Sequence, residues 1–199
     1  MAVRRRAPEP LPLTVLRRGA VYVRQGEPSP GVLVVEHGML RLSAVGPDGG
    51  ELVLDLVGPG EPVGDPRGEP AACTVRAVTP VRLRPMHPSD MERAVAERAR
   101  RLAGLATELA SLDVASRVER RLRDLAERHG RPVPGGRVIT IRLTQEELGA
   151  MVGATRETAN RAVRSLVRRG AIAVIRRGRY VVRTSFRAVR GGPPSAASP

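Results

Sequence analysis

A chain of 199 residues with a formal charge of +14 has room for one or two domains and calls for a polyanionic partner. With 41% hydrophobic residues but no Trp, two Tyr and one Phe, its core must rest on Val, Leu, Ile and Ala. No run approaches the roughly 18 apolar residues of a membrane span, the basic N-terminus lacks an apolar signal core, and the lone Cys73 can neither close an internal disulfide nor hold a zinc or iron–sulfur centre; the expectation is a cytoplasmic protein with no cofactor, no metal and no membrane partner.

The charge is unevenly placed. Every cation is Arg, which a GC-rich genome alone can produce. Residues 1–112 hold 15 Arg and 13 acidic residues, a net of +2, whereas residues 113–199 hold 19 Arg and 7 acidic residues, a net of +12. Codon usage does not explain that asymmetry. It predicts a phosphate-binding footprint on the C-terminal half.

Residues 1–10 and 191–199, rich in Pro, Arg, Gly, Ser and Ala, are expected to be disordered tails. From Val15 to Met86 short apolar pieces (Val21–Val23, Val32–Val35, Met39–Leu42, Leu52–Leu54) alternate with turns at Gln25-Gly26-Glu27, Pro47–Gly50 and Pro59-Gly60-Glu61. Such regular spacing points to a sandwich or barrel. The pattern changes at Pro88. Ser89-Asp90-Met91-Glu92 reads as a capping box, with Ser89 as the cap and Glu92 reaching back. Met91, Val95, Leu102, Leu105, Leu109 and Leu112 then follow a heptad seam that only Arg98 interrupts. The seam suits either one partner helix in a dimer or packing on its own domain. A second helix is expected over Asp113–Arg128, a break over Gly130–Gly136 with Pro132 and Pro134, and a short strand at Val138–Ile141.

Residues 143–169, LTQEELGAMVGATRETANRAVRSLVRR, carry the most information. Thr144 and Glu147 have capping-box spacing, and Leu148, Met151 and Val152 form an apolar face. Gly153 permits the left-handed backbone of a sharp turn, and Thr155 caps a second helix with apolar positions at Ala159, Val163, Leu166 and Val167. Two short helices joined in this way make a helix-turn-helix. The polar face of the second carries residue types that read base edges: Arg156 and Arg161 for guanine, Glu157 for cytosine. All three lie in the first two turns, where such a helix enters the major groove. Thr144, Gln145, Thr155, Thr158, Asn160, Arg164 and Arg168 are candidates for phosphate. After Gly170, the β-prone pieces Ile172–Ile175 and Tyr180–Val182 flank Arg176-Arg177-Gly178-Arg179, a hairpin wing whose tip, Arg177 above all, suits phosphate.

Thr155-Arg156-Glu157-Thr158 followed by Arg161 resembles the R-E-T-x-x-R recognition helix of the CRP/FNR superfamily of bacterial transcription regulators. Leu112-Asp113-Val114 resembles that family's hinge. Gln25-Gly26-Glu27, Gly38, Gly49 and Pro59-Gly60-Glu61 resemble its glycine framework. The resemblance covers nearly the whole chain. It implies an α+β protein: an effector-like β-roll (a double-stranded β-helix) over 11–88, a dimerisation helix over 89–112 and a winged helix-turn-helix over 113–190. It further implies a homodimer that binds double-stranded DNA at a palindromic TGTGA-like site and recruits or blocks RNA polymerase. One segment departs from the pattern. Where cyclic-nucleotide-binding members close a phosphate cassette with Arg-Ser, this chain has Ala71-Ala72, after a shortened stretch from Gly64-Asp65 to Pro70. The Thr-Ser pair that would touch the base corresponds to Leu102-Ala103. Alanine offers no donor and no charge to a buried phosphate, so the expectation is independence from cyclic AMP. Gating by another small molecule and a sequence-blind basic protein stay open as alternatives; Glu157 opposes the second, because a carboxylate facing phosphates is repelled unless it reads a base. No cluster of His and carboxylates supports an enzyme.

Overall fold

The computed structural model describes residues 13–65, 67–176 and 178–183. Both expected tails lie outside these residues. Apolar pieces between Gly and Pro turns form β1 (Thr14–Leu16), β2 (Val21–Val23), β3 (Leu33–His37), β4 (Leu40–Val45), β5 (Glu51–Val57), β6 (Pro62–Val63), β7 (Thr74–Ala77) and β8 (Val81–Pro85). They assemble into two four-stranded antiparallel sheets, ordered β1-β8-β3-β6 and β2-β7-β4-β5. Because side chains alternate along a strand, each sheet turns one apolar face inward. Leu33, Val35, Val81 and Leu83 from the first sheet meet Leu40, Leu42, Val57 and Val75 from the second in one buried cluster. This is the expected β-roll.

Helix α1 (Pro88–Ser111) starts one residue before the sequence suggests. Ser89 is not its cap. Pro88 takes the first helical position, where its missing N–H costs nothing, and the His87 side chain accepts from the Ser89 backbone N–H. Ser89 thus lies inside the first turn, and Glu92 is exposed. Leu112 ends α1 in extended conformation. Asp113, one residue on, caps α2 (Val114–His129) by accepting from Ser116 N at 2.7 Å. That bond holds the Asp113 carboxyl below its ordinary pKa.

The expected break over Gly130–Gly136 is instead a hairpin. β9 (Gly130–Val133) pairs with β10 (Gly136–Ile139) across a Pro134-Gly135 turn. Thr140 and Ile141 lie beyond the strand. α3 (Gln145–Met151), α4 (Arg156–Arg168), β11 (Ile172–Arg176) and β12 (Arg179–Arg183) complete the chain, and the last sheet runs β11-β12-β10-β9.

Two features join this unit to the β-roll. Met39, Val53 and Leu56 from the roll share a core with Val118 and Leu122 of α2, Met151 of α3 and Leu166 of α4. Beside that core, Asp55 on β5 and Glu61 beyond it receive Arg101 from α1 and Arg128 from α2. Arg128 Nη1 lies 2.9 Å from Asp55 Oδ1, and its Nη2 donates to the Leu56 carbonyl at 2.7 Å. Burial works against the Arg128 charge, but Asp55, Glu61 and Asp124 outweigh it and raise the pKa above its ordinary value.

Candidate nucleic-acid interface

The helix-turn-helix begins with a complete capping box: Glu147 N donates to Thr144 Oγ1 at 3.1 Å, and Thr144 N donates to Glu147 Oε2 at 2.6 Å. Leu148 and Met151 anchor α3 in the core. At the turn, Gly153 has φ +60°, the left-handed region that favours glycine. Gly149 has a role that sequence reasoning missed. Ala154 N donates to its carbonyl at 2.9 Å, and a Cβ on Gly149 would sit 2.6 Å from the Ala154 oxygen. The turn folds directly onto α3 there, so only glycine fits. An isolated Gly inside a helical pattern was the available signal.

Thr155 caps α4 by accepting from Thr158 N at 3.2 Å. Its hydroxyl lies 3.0 Å from that of Thr158, and Arg161 Nη2 donates to Thr158 Oγ1 at 3.2 Å. Arg161 is thereby braced over the first turn. Ala159, Ala162, Val163 and Leu166 are buried. Val167, expected on that face, is 42% exposed; Ala162 replaces it in the core. The outward face presents Arg156, Glu157, Arg161, Arg164 and Arg168, all exposed. Among the described residues none of the five forms an ion pair, although Arg156 and Arg161 lie one and four positions from Glu157. Thr158 and Asn160 are half-buried at the edge of this face. Gln145 is also half-buried, and its Nε2 donates to the hydroxyl of the fully buried Tyr180 at 3.0 Å. It therefore braces the wing against α3. Thr144 is exposed at the start of α3. Arg177 lies outside the described residues.

The apolar stripe of α1 divides between two surroundings. Leu105 is buried by its own chain, and Leu109 packs within 3.2 Å of the position a Gly153 Cβ would take. Arg98 turns to the β-roll, where Nη1 donates to the Pro62 carbonyl at 3.4 Å. Met91 and Leu112 are half-buried. Val95 at 53% and Leu102 at 37% exposure face solvent, in line with exposed Ala99 and Ala106. The stripe left for a partner is therefore narrower than the sequence suggests, and it excludes Leu105.

In the β-roll, Gly64 has φ +99°, and a Cβ there would meet the Gly31 oxygen at 1.9 Å. Asp65 N donates to the Ser29 hydroxyl at 2.8 Å. Gly26 N donates to the Ala71 carbonyl and Ala71 N to the Glu27 carbonyl, both at 2.8 Å. Asp65 and Ala71 are thus both held against the 26–29 turn. Ala71 is half-buried, while Ala72 and Arg67 are exposed.

An arginine-faced α4 set by two capped turns, with a cationic wing beside it, defines a DNA-binding regulator of the winged helix-turn-helix class. Comparison with known proteins specifies it further. The profile of the Crp-like helix-turn-helix domain matches residues 116–185, and that of the cyclic nucleotide-binding domain matches residues 13–98. The chain is 33% identical over 170 residues to the CRP-like cAMP-activated global transcriptional regulator of Mycobacterium tuberculosis, covering 77% of this chain and 76% of that protein. It is 30% identical over 171 residues to the transcriptional regulator SdrP of Thermus thermophilus, covering 78% and 82%. A CRP/FNR-family regulator from the same organism superposes with a TM-score of 0.72 at 27% identity, covering 86% of this chain and 93% of that one. FixK2 from Bradyrhizobium japonicum, at 20% identity and a TM-score of 0.73 over 87% and 92% of the two chains, supports the fold alone. The chain belongs to the CRP/FNR superfamily of DNA-binding transcription regulators, which are not enzymes. No helix among the described residues is long and apolar enough to cross a membrane.

Proposed function

We propose that this protein is a cytoplasmic homodimer that binds a palindromic TGTGA-like DNA site without cyclic AMP and there recruits or blocks RNA polymerase. One observation carries the reading: Arg156, Glu157 and Arg161 stand exposed, and without ion pairs among the described residues, on the first two turns of a capped, core-anchored helix. Arg156 and Arg161 are assigned to guanines and Glu157 to a C·G pair. Thr144, Gln145, Thr155, Thr158, Asn160, Arg164 and Arg168 border that face and are assigned to phosphate, as is Arg177. An unpaired carboxylate in the middle of the face disfavours a sequence-blind protein.

The dimer is assigned to α1, centred on Val95 and Leu102, with Met91, Leu109 and Leu112 at its margins. Three functional units follow: a β-roll over 11–88, the dimer helix over 89–112 and the DNA-binding unit over 113–190. Independence from cyclic AMP rests on Ala71-Ala72 and on Leu102-Ala103, none of which can hydrogen-bond a phosphate or a base through its side chain. The M. tuberculosis relative is described as cAMP-activated; this chain lacks the side chains the cassette would use.

Selection of bound sequences from a random DNA pool tests the reading. Enrichment of a palindrome without added nucleotide is expected, with half-sites about one helical turn, roughly 34 Å, apart. No enrichment would overturn specific reading. Enrichment only after addition of cell-extract metabolites would assign the same scaffold to effector gating.

A further inference from the structure

The wing carries a feature that phosphate binding does not use. Val174 and Ile175 are 44% and 57% exposed. They sit on β11, an edge strand of its sheet. The ladder pairs Val174 with Tyr180 and Arg176 with Arg179, and its register shifts between them, leaving Ile175 as an extra, unpaired residue. Such a bulge re-aims a side chain and ends regular pairing. An apolar edge strand is a liability unless something covers it.

The surroundings indicate what that cover is. Arg142, beside Gly178, and Arg176 and Arg179, paired across the hairpin, are exposed, and among the described residues none forms an ion pair. A cationic rim around a small apolar tip matches a DNA groove, with guanidinium groups at phosphates and aliphatic carbons against the sugar edges and base steps inside. The tip is also held in place. Leu143 N donates to the Gly178 carbonyl at 2.7 Å, and Gly178, at φ +79°, has no room for a Cβ, which would meet the Leu143 oxygen at 2.8 Å. Leu143 immediately precedes Thr144, the cap of α3, so the tip is fixed relative to the helix-turn-helix.

We propose that Val174 and Ile175 form an apolar wedge that enters the minor groove beside each half-site, so that the wing senses the base pairs flanking the selected core. The inference rests on the DNA-reading role assigned to α4. Guanine places its N2 amino group in the minor groove, where A·T pairs place none. That amino group obstructs an apolar wedge and widens the contrast between flanks.

The test uses the full-length protein and duplexes that share one selected core. The flanks are either inosine·C or G·C pairs, which differ only in the minor-groove amino group. The wild-type protein is expected to bind inosine·C flanks on the order of tenfold more tightly. Val174→Ser/Ile175→Ser is expected to lose that preference and about tenfold in affinity for the inosine·C duplex. Its salt dependence should keep the wild-type slope, because no phosphate contact is removed. Ile175→Val, which keeps the apolar edge, should retain the preference. Both residues lie outside the buried core, so a thermal melt should show an unchanged fold. The wedge is overturned if the double variant keeps the flank preference or if the wild-type protein has none. It is equally overturned if the DNA-free double variant sediments differently from wild type, which would make the patch a contact between protein copies. A wild-type protein that prefers no core over a scrambled one defeats the α4 reading itself, and the wedge with it.

Discussion

Replacing Arg128 with Met should loosen the DNA-binding unit from the β-roll. Arg128 is 16% exposed at its side chain and meets Asp55 at 2.9 Å and Glu61 at 2.8 Å, whose side chains are 7% and 17% exposed. Without it, Asp55 retains Arg101 at 3.2 Å, and Glu61 retains Arg101 at 3.6 Å and the His129 ring at 3.3 Å. Deleting one partner of a buried pair costs about 3–5 kcal/mol; the remaining Arg101 places the expected loss near the lower end, about 3 kcal/mol. For a chain of this size that is roughly 6–12 °C in melting temperature. Arg24→Ala is the control: its pair with Glu27 is 67% and 49% exposed at the two side chains, and its loss should stay within about 1 kcal/mol. Arg128→Met/Asp55→Leu should recover part of the loss, since apolar replacement of a whole buried pair is often neutral. Urea denaturation measures the energies, and hydrogen exchange locates the opening along α2 and β5. If Arg128→Met unfolds at the same urea concentration as Arg24→Ala, the ion cluster does not hold the two units together.

Three further outcomes are expected. Val95→Glu/Leu102→Glu, at two exposed positions of α1, should give a folded monomer by sedimentation with much weaker DNA binding; an unchanged dimer removes α1 from the interface. Titration calorimetry with cyclic AMP should show no binding at micromolar concentrations, and a stoichiometric site would place a phosphate ligand at Arg67 or another residue outside the Ala71-Ala72 pair. Burial holds the His129 pKa below its ordinary 6.5, with Arg128 adding to this and Glu61 opposing it, so the native state favours the neutral ring. The stability it contributes is therefore present above that ordinary value and lost as pH falls through the lowered one. His129→Gln should flatten the fall in melting temperature on acidification, and an identical pH profile for variant and wild type would contradict the assignment.

What could be read from the sequence was what is encoded locally. The Thr144–Glu147 box, the Gly153 turn and the Thr155 cap each depend on residues within four positions, and each appears in the structure with its hydrogen bonds. The strand pattern of the roll was equally legible, because alternation and Gly turns are local. The cluster of Asp55, Glu61, Arg101 and Arg128 was not, since it joins residues up to 73 positions apart. β9 was hidden by Pro132 and Pro134, yet β9 is a sheet edge, where a missing N–H is tolerated. The heptad reading of α1 treated every apolar position as equivalent. Leu105 is instead covered by its own chain, a distinction that periodicity alone cannot make.

The most direct test of sequence-specific reading by α4 is a random-pool selection run side by side on wild type and Arg156→Ala. Wild type is expected to enrich a palindrome, and the variant to lose preference at a single base position of each half-site, at a cost of about 1–3 kcal/mol per half-site. Arg164→Ala, assigned to phosphate, should instead weaken all sequences alike and reduce the salt slope by about one. If Arg156→Ala enriches the same motif as wild type, α4 does not read DNA in the way the exposed Arg156–Glu157–Arg161 face indicates.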